Sequence, residues 1–341
     1  VSAGAHMVRV LVPGGRSEVS PGELSGVLAT LGGSECAVTW IHADLSAHVV
    51  QALDEMGLDE IAVKSLRDGP ERPRVEEFAD HLYISLFSAD KPTGRRTREE
   101  DEPPAARGDD AETELPRLKD LRLFLGPRWL ISVGDIQESD YEVLADRMRR
   151  QVFSRNRGAS FIAYHICEWL VETLQPALDA LDDRIDGLED EVVLGTGTAP
   201  IQELFSLKRD LVDLRRRVAP LRDVMQRLGS YGVLYVDPET EVYFRDVHDD
   251  VMRVIELLDT YRANLSSALD LHLSSVSNRT NRVMKQLTVV ATMFMPLSFI
   301  VGLFGTNFTR MPFESLIWFI LMFVLMFVSV VVFVIYTWKR T

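Results

Sequence analysis

Cysteine is scarce in this sequence, which has 341 residues and two cysteines, Cys36 and Cys167. They lie far apart and in no Cys-x-x-Cys spacing, so neither a disulfide framework nor a thiolate zinc site is expected. Basic residues are also in deficit, with 37 Lys and Arg against 51 Asp and Glu and a net charge of −14. Nucleic-acid binders normally carry a basic face, so no nucleic-acid partner is expected. The acidic balance fits either simple solubility or a body that concentrates cations around an axis.

Catalytic motifs are missing too. The sequence contains no P-loop, no Gly-x-Ser-x-Gly and no His-Glu-x-x-His motif, so an enzyme is not expected and no cofactor is implied. His42 and His48 lie six residues apart, which is not a spacing of metal ligands on one helix face. We therefore expect no metal role for this histidine pair.

The N-terminal part mixes short strands and helices and predicts a cytosolic α/β domain over residues 7–160. Residues 1–6 resemble a cloning remnant, and no signal peptide is predicted. Residues 89–116 are rich in Pro, Gly and charge, so we expect a mobile loop there. Gly126-Pro127-Arg128 predicts the turn of a β-hairpin. The predicted strands are Val8–Val12, Cys36–His42, Leu82–Phe87, Leu121–Leu125 and Trp129–Val133, and the predicted helices are Leu45–Met56 and Tyr141–Phe153.

The pattern changes after about residue 160, where apolar residues at steps of three and four predict long helices. Residues 161–240 hold two helices, Phe161–Val193 with an acidic end and Ile201–Leu228 with a basic run at 215–217. These charges favour either an antiparallel helix pair or two separately solvated faces. From Glu241 no Gly or Pro interrupts the chain until Pro296. This length predicts a stalk helix over 241–304 that enters a membrane.

Two C-terminal runs lack charge entirely. Leu287–Phe304 and Leu316–Trp338 are long and apolar enough to cross a bilayer, which predicts two transmembrane helices and an all-α membrane part. Basic residues flank their outer ends at Arg279, Arg282, Lys285, Lys339 and Arg340. The positive-inside rule then places both termini and the tail 339–341 in the cytosol, and the loop 305–315 outside.

One face of the first span and of the helix before it is small or polar, except at Met284 and Met295. Steps of three and four residues connect Asp270, Ser274, Ser277, Asn281, Met284, Thr288, Ala291, Met295, Ser298, Gly302 and Gly305. Several copies that each offer this face to a common axis would line a pore. Close helix packing through small residues is the alternative.

The segment from Ser277 to Phe308 resembles the pore helix of the CorA family of magnesium channels. That family typically has Tyr-Gly-Met-Asn-Phe where this chain has Phe304-Gly-Thr-Asn-Phe308, and Met311-Pro312 follows at the family's spacing. The segments Tyr243–Asp249 and Glu71–Phe78 resemble the family's stalk start and cytosolic domain. The match touches most of the chain.

This resemblance implies a homopentamer in the inner membrane that transports Mg²⁺, with Co²⁺ or Ni²⁺ as further cargo. It implies an α+β cytosolic domain, an αβα funnel, followed by the stalk and two spans. Gly305, Thr306 and Asn307 would form the ion entrance, with Asn281 as a polar ring and Asp270 as an acidic ring. The implied pore lining is Asp270, Ser277, Asn281, Met284, Leu287, Thr288, Ala291, Met295, Ser298 and Gly302, with Met284, Leu287 and Met295 as apolar constrictions.

The sequence departs from this family at two places. Thr306 replaces the family's Met, and the related ZntB zinc transporters also vary at this position, so Zn²⁺ is the alternative cargo. Family members that sense magnesium pair the stalk acid, here Asp246, with acids on the neighbouring subunit. Lys64 and Ser65 replace those acids here, which predicts a weakened regulatory metal site around Asp246, His248 and Asp249. A membrane-anchored cytosolic sensor or scaffold is the alternative of another class.

Overall fold

The computed structural model describes residues 8–20, 22–31, 37–90, 117–194, 201–305 and 316–339. Contacts divide the chain into two units, with the boundary between Ala268 and Leu269. The strands are β1 (Val8–Val12), β2 (Gly15–Val19), β3 (Thr39–Ala43), β4 (Arg74–Glu77), β5 (Leu82–Ala89), β6 (Leu118–Leu125) and β7 (Trp129–Gly134). The α-helices are α1 (Leu24–Thr30), α2 (Ala47–Glu55), α3 (Glu60–Ser65), α4 (Glu138–Arg147), α5 (Ala159–Leu194), α6 (Ile201–Leu228), α7 (Pro238–Phe304) and α8 (Leu316–Trp338).

One mixed sheet, in the order β2-β1-β3-β7-β6-β5-β4, lies in the middle of the first unit. Strands β3 and β7 pair in parallel, and the other neighbours pair antiparallel. Strands β3, β5 and β7 are buried along their whole length, which explains why their sequences are mostly apolar. At the β6–β7 hairpin Gly126 is required, because a Cβ there would lie 2.1 Å from the Trp129 ring.

Helices cover both faces of this sheet. On one face, α1, α2 and α3 pack into a hydrophobic core with the strands, whose members include Leu28, Leu53, Ala62, Ile41 and Val133. On the other face, the Tyr141 ring of α4 stacks on Trp40 with 5.0 Å between centroids. There the Thr173 hydroxyl of α5 accepts a hydrogen bond of 3.0 Å from the Ala89 amide. The first unit therefore contains the three-layer αβα domain that the resemblance implied.

Helices α5, α6 and the start of α7 form the rest of the first unit. Helix α6 buries an apolar edge at helical spacing, made of Leu204, Leu207, Leu211, Leu214, Val218, Leu221, Val224, Met225 and Leu228. The Lys208 ammonium donates to the Ser266 hydroxyl at 2.9 Å, and Arg215 binds both carboxylate oxygens of Asp259 at 2.6 and 3.0 Å. Residue numbers that increase along α6 thus pair with residue numbers that decrease along α7, so these helices are antiparallel.

The start of α7 is anchored on the start of α5. The Ser160 hydroxyl lies 2.6 Å from the Asp237 carboxylate and 2.9 Å from the Thr240 hydroxyl. Pro238 occupies the first turn of α7, where its missing N–H costs nothing and its fixed φ suits a helix. This anchor sets where α7 leaves the α/β domain.

The second unit consists of the end of α7 and helix α8. Most of its large apolar side chains are exposed, as Met295 at 75% and Phe299 at 70% illustrate. Both helices are long and apolar enough to cross a membrane. The predicted fold class is thus confirmed: an α+β domain, one long helix and two candidate spans.

Several predicted boundaries differ from the structure. Ala89 belongs to β5 and pairs with Leu118, so the expected loop cannot begin there, and residues 91–116 lie outside the described part. The strand expected from Cys36 begins at Thr39, and Cys36 itself is not described. The helix expected from Leu45 begins at Ala47, because the Ser46 hydroxyl caps it. The helix expected over 141–153 begins at Glu138 and continues as a π-helical turn after Arg147.

The acidic end of α5 was one expected partner for the basic run of α6, but Arg215 of that run pairs elsewhere. Its partner is Asp259 of α7. The acidic end of α5 also contacts α7, because the Tyr261 hydroxyl of α7 donates a hydrogen bond to the Asp182 carboxylate of α5. A salt bridge between Arg184 and Glu203 does link α5 to α6, but with the charges reversed. Runs of like charge in the sequence did not identify these partners. Each helix packs against two others, and the run does not say which of the two supplies the opposite charge.

Candidate ion pathway and regulatory site

The candidate ion pathway is the α7 stripe, by which we mean Asp270, Ser274, Ser277, Asn281, Met284, Thr288, Ala291, Met295, Ser298, Gly302 and Gly305. Helix α7 has no break between Asp270 and Phe304. With 3.6 residues per turn and a rise of ~1.5 Å, alternating steps of three and four place these residues in a row over roughly 50 Å that winds around the helix by only about 20° every seven residues. The side chains of Asn281, Met284 and Ser298 are exposed in the single chain. The stripe is therefore free to meet water, lipid or another chain.

Hydroxyl groups on and beside this stripe donate within the helix. The Thr288 hydroxyl donates to the Met284 carbonyl at 2.8 Å, and the Thr292 hydroxyl donates to the Thr288 carbonyl at 2.7 Å. These bonds satisfy the polar hydrogens inside a bilayer without a second helix. Each hydroxyl oxygen keeps its lone pairs, which can accept hydrogen bonds from the water shell of an ion.

Pro296 interrupts the backbone hydrogen bonding of α7 without ending the helix. A proline has no N–H, so the carbonyl of Thr292, four residues earlier, loses its helical donor. Thr292 follows the stripe residue Ala291. The Thr292 carbonyl is therefore left without its helical partner.

The C-terminal end of the stripe is a close backbone contact. The Gly305 amide donates to the Val301 carbonyl at 2.8 Å. A Cβ at Gly305 would lie 3.1 Å from that same oxygen, so glycine permits this tight end of the helix. Thr306 and Asn307, the other two predicted entrance residues, lie outside the described residues.

The candidate regulatory residues lie on the first part of α7. Asp246 and Asp249 are exposed, and the Asp249 carboxylate lies 3.2 Å from Nδ1 of His248. Among the described residues of one chain, no three His, Cys, Asp or Glu side chains are grouped so that they could hold a metal. A regulatory metal at Asp246 would therefore need ligands from elsewhere.

Lys64 and Ser65, the residues that replace the expected acids, have different surroundings. Lys64 is exposed at the end of α3. Ser65 is buried, donates to the Ala62 carbonyl at 2.7 Å and lies 2.5 Å from the Tyr83 hydroxyl. Burial raises the pKa of Tyr83 to about 12. Ser65 is thus a residue of the domain core, and Lys64 alone of the two is available to another subunit.

A polar row crosses the sheet, buried at His42 and Ser132 and half-buried at Arg9, and sequence reasoning missed it. Arg9, His42 and Ser132 are register partners on β1, β3 and β7. Nδ1 of His42 lies 3.0 Å from the Ser132 hydroxyl, and burial lowers the pKa of His42 to about 3. His42 is therefore a neutral core residue, whereas His48 is exposed at the surface. Only the strand register, which the sequence does not state, brings this row together.

A soluble αβα domain whose long helix continues into a candidate span, with a second span after it, defines an integral membrane protein with a large soluble part. The family model described as CorA-like Mg2+ transporter protein matches residues 35–340. The chain belongs to this family. It is therefore a divalent-cation transporter and not an enzyme.

The similar proteins include both branches considered from the sequence. The cobalt/magnesium transport protein CorA of Thermotoga maritima is 33% identical over 279 residues, which cover 81% of this chain and 73% of that protein. The zinc transport protein ZntB of Pectobacterium carotovorum is 23% identical over 275 residues, 80% of this chain and 78% of its own. The structure of the CorA magnesium transporter from Methanocaldococcus jannaschii matches with a TM-score of 0.75 at 22% identity, covering 100% of this chain and 99% of that one. This last likeness concerns the fold.

Proposed function

We propose that five copies of this chain surround an axis in the inner membrane and conduct divalent cations, Mg²⁺ foremost, along the α7 stripe. The observation that carries the proposal is the unbroken stripe itself, which is small or polar from Asp270 to Gly305 except at Met284 and Met295 and is exposed in the single chain. The neighbouring faces carry bulky apolar side chains such as Phe294 and Phe299. One such helix encloses no water, whereas a ring of them does.

The chemistry of the stripe favours Mg²⁺ over Zn²⁺. Its polar groups are oxygen donors: the Asp270 carboxylate, the Asn281 amide and the hydroxyls of Thr288 and Ser298. Zn²⁺ prefers nitrogen and thiolate ligands, and the stripe contains neither His nor Cys. Mg²⁺ gives up its water reluctantly, so neutral oxygens that hold its water shell suit passage. A ZntB-like zinc transporter is the second candidate, favoured by the ZntB relative and by Thr306.

The path is divided between polar and apolar rings. Asn307 and Gly305 form the entrance in this proposal, and Asn281 and Asp270 form rings nearer the cytosol. Met284, Leu287 and Met295 narrow the path, and all three side chains are exposed in the single chain. Rings of apolar side chains close a pore by excluding water.

The two termini lie in the cytosol in this proposal. The domain 7–160 and helices 161–240 form the cytosolic body, 241–304 the stalk and first span, 305–315 the external loop and 316–338 the second span, with the tail at 339–341. Arg279, Arg282 and Lys285 precede the first span, which fits the positive-inside rule. A sensor or scaffold with a simple membrane anchor has no use for Asn281 within the stripe.

The cytosolic magnesium lock is lost or weakened in this proposal. Lys64 is exposed, and its ammonium near Asp246 of a neighbouring copy would satisfy that carboxylate and oppose a dication. Ser65 contributes nothing there because it is buried. The pore would then respond little to cytosolic Mg²⁺.

Ion flux into liposomes tests the transport proposal. We expect Asn307→Ala to lower Mg²⁺ uptake by about tenfold or more, since every subunit loses the amide oxygen that would accept hydrogen bonds from the hydrated ion. Asn278→Ala is the matched control, because Asn278 is exposed on α7 but off the stripe. Flux of Mg²⁺, Co²⁺, Ni²⁺ and Zn²⁺ with and without a pH gradient separates the two candidate cargoes. Normal uptake in a correctly inserted Asn307→Ala protein would refute the proposal that Asn307 forms the ion entrance.

A further inference from the structure

Five arginines converge on one open cleft of the first unit, although the chain as a whole is acidic. The cleft has a volume of about 390 Å³ and lies between α6, the first part of α7 and the segment before β4. Its arginines are Arg72, Arg215, Arg216, Arg222 and Arg262, and its other lining residues are Val212, Ala219, Pro220 and Asp223. We call this the arginine cleft.

Carboxylates neutralise only part of this charge. Arg215 binds Asp259 at two points, 2.6 and 3.0 Å, and Arg222 binds Asp223 at 2.8 Å. Within the described part of the chain, Arg72, Arg216 and Arg262 have no carboxylate at ion-pair distance. Guanidinium groups stay protonated at any physiological pH, so three positive charges remain uncompensated in the cleft.

This clustering contrasts with the chain as a whole, which carries a net charge of −14. Like charges that share a cleft repel one another, and an anion of matching charge removes that repulsion. Guanidinium forks fit the oxygens of phosphate groups and bind them at two points. The arrangement thus suits a ligand with two or more negative charges.

The lining also limits the kind of ligand. Among the described residues that line the cleft, none is an aromatic on which a base or ring could stack, and the apolar ones are small. Its volume lies at the low end of the ~300–1,000 Å³ typical of ligand sites. We propose that the arginine cleft is a binding site for a compact phosphate-bearing polyanion, such as a di- or triphosphate group. The site goes beyond the transport function and does not depend on it.

Isothermal titration of the full-length protein with inorganic pyrophosphate and triphosphate, in neutral detergent and magnesium-free buffer, tests the proposal. We expect saturable binding that weakens by about a hundredfold in Arg216→Gln/Arg262→Gln, because each of the two lost charge-assisted contacts weakens binding by about tenfold. Arg217→Gln is the matched control: Arg217 is exposed on α6 but does not line the cleft. The control is expected to bind like the unaltered protein.

Nanodiscs distinguish a free phosphate from a lipid headgroup. If a bilayer phosphate fills the cleft, pyrophosphate binds more weakly in nanodiscs with phosphatidic acid than in neutral ones. If the ligand is soluble, both give the same affinity, and either result supports the site. Absence of saturable binding, or equal binding by the double variant, would overturn the proposal. So would a loss of oligomeric mass in the double variant, because the arginines would then be contacts between copies.

Discussion

In the first unit the large apolar side chains bury one another, whereas in the second unit they face outward. Ile84 and Leu123 are fully buried between sheet and helices, but Met295 and Phe299 expose 75% and 70% of their surface. Among the described residues after Leu269, Ile300 is the one buried hydrophobic side chain. The first unit therefore accounts for its own stability, and the second requires lipid or further copies of the chain.

The comparison also separates two uses of polar groups. In the first unit, buried polar atoms bind other elements, as Ser65 binds Tyr83 across the core. In the second unit, hydroxyls such as Thr288 bind their own helix and leave acceptor oxygens facing out. The first pattern holds a domain together, and the second suits a helix that meets water on one face and other helices on the rest.

The largest expected difference between the units is in stability. Phe124 is fully buried and its ring lies 5.4 Å from that of Tyr83, so Phe124→Ala should lower the free energy of unfolding of the first unit by about 3–5 kcal/mol. Phe299→Ala should change it by less than about 0.5 kcal/mol. Denaturant unfolding of the full chain in detergent, followed by tryptophan fluorescence, measures both. Similar losses in the two variants would break the comparison.

Acid should weaken the first unit through His42. Its folded pKa is lowered to about 3 by burial, while the unfolded value is ~6.5. Below about pH 6.5 the unfolded chain binds a proton that the folded chain does not. The free energy of unfolding therefore decreases as the pH is lowered, by about 2 kcal/mol at pH 5. His42→Gln should remove this part of the pH slope between pH 7.5 and 5, and the exposed His48→Gln should keep it. Equal slopes in both variants would refute the buried-histidine explanation.

A smaller effect is expected at the proposed constriction of the second unit. Met295→Ala should raise cation flux or leak by a few-fold, because a wider apolar ring wets more easily. Phe299→Ala, which changes a residue outside the stripe, should leave flux unchanged. Liposome uptake compares the two. If Met284→Ala, Leu287→Ala and Met295→Ala all conduct normally, the gate lies elsewhere.

The smallest expected effect is the response of the first unit to magnesium. With Lys64 in place of an acid, protease protection should be the same in EDTA and in millimolar Mg²⁺. Lys64→Glu should introduce a magnesium-dependent protection, because two facing carboxylates bind a dication. A large magnesium effect in the unaltered protein that disappears in Asp246→Ala would show that the lock is intact.

Long periodic elements were predictable, and short ones were not. The bounds of α6 and α8 match the predictions residue for residue, because periodicity or continuous apolarity runs between clear breaks. Strand β2 has the sequence GRSEV and an exposed pattern, so it is a strand only through pairing with β1. Helices α1 and α3 have seven and six residues, too few for a periodic signal, and the four-residue β4 was missed likewise.

The site was predictable only where it follows one helix. The α7 stripe needs the helical period alone, so its residues could be named from the sequence. The arginine cleft joins Arg72 to Arg262 across three elements, and the run at 215–217 identified only part of it. Ser65 was assigned to an interface because its burial depends on contact with Tyr83, which no local pattern reveals.

Cysteine accessibility along α7 tests the central claim, that the stripe lines the cation path, most directly. In a Cys36→Ser/Cys167→Ala background, Ser298→Cys and Phe299→Cys place a thiol on adjacent residues, one on the stripe and one off it. A charged, water-soluble thiol reagent should block Mg²⁺ flux through Ser298→Cys and leave Phe299→Cys conducting. Equal block at both positions, or block at Phe299→Cys alone, would contradict the assignment of the stripe to the pore.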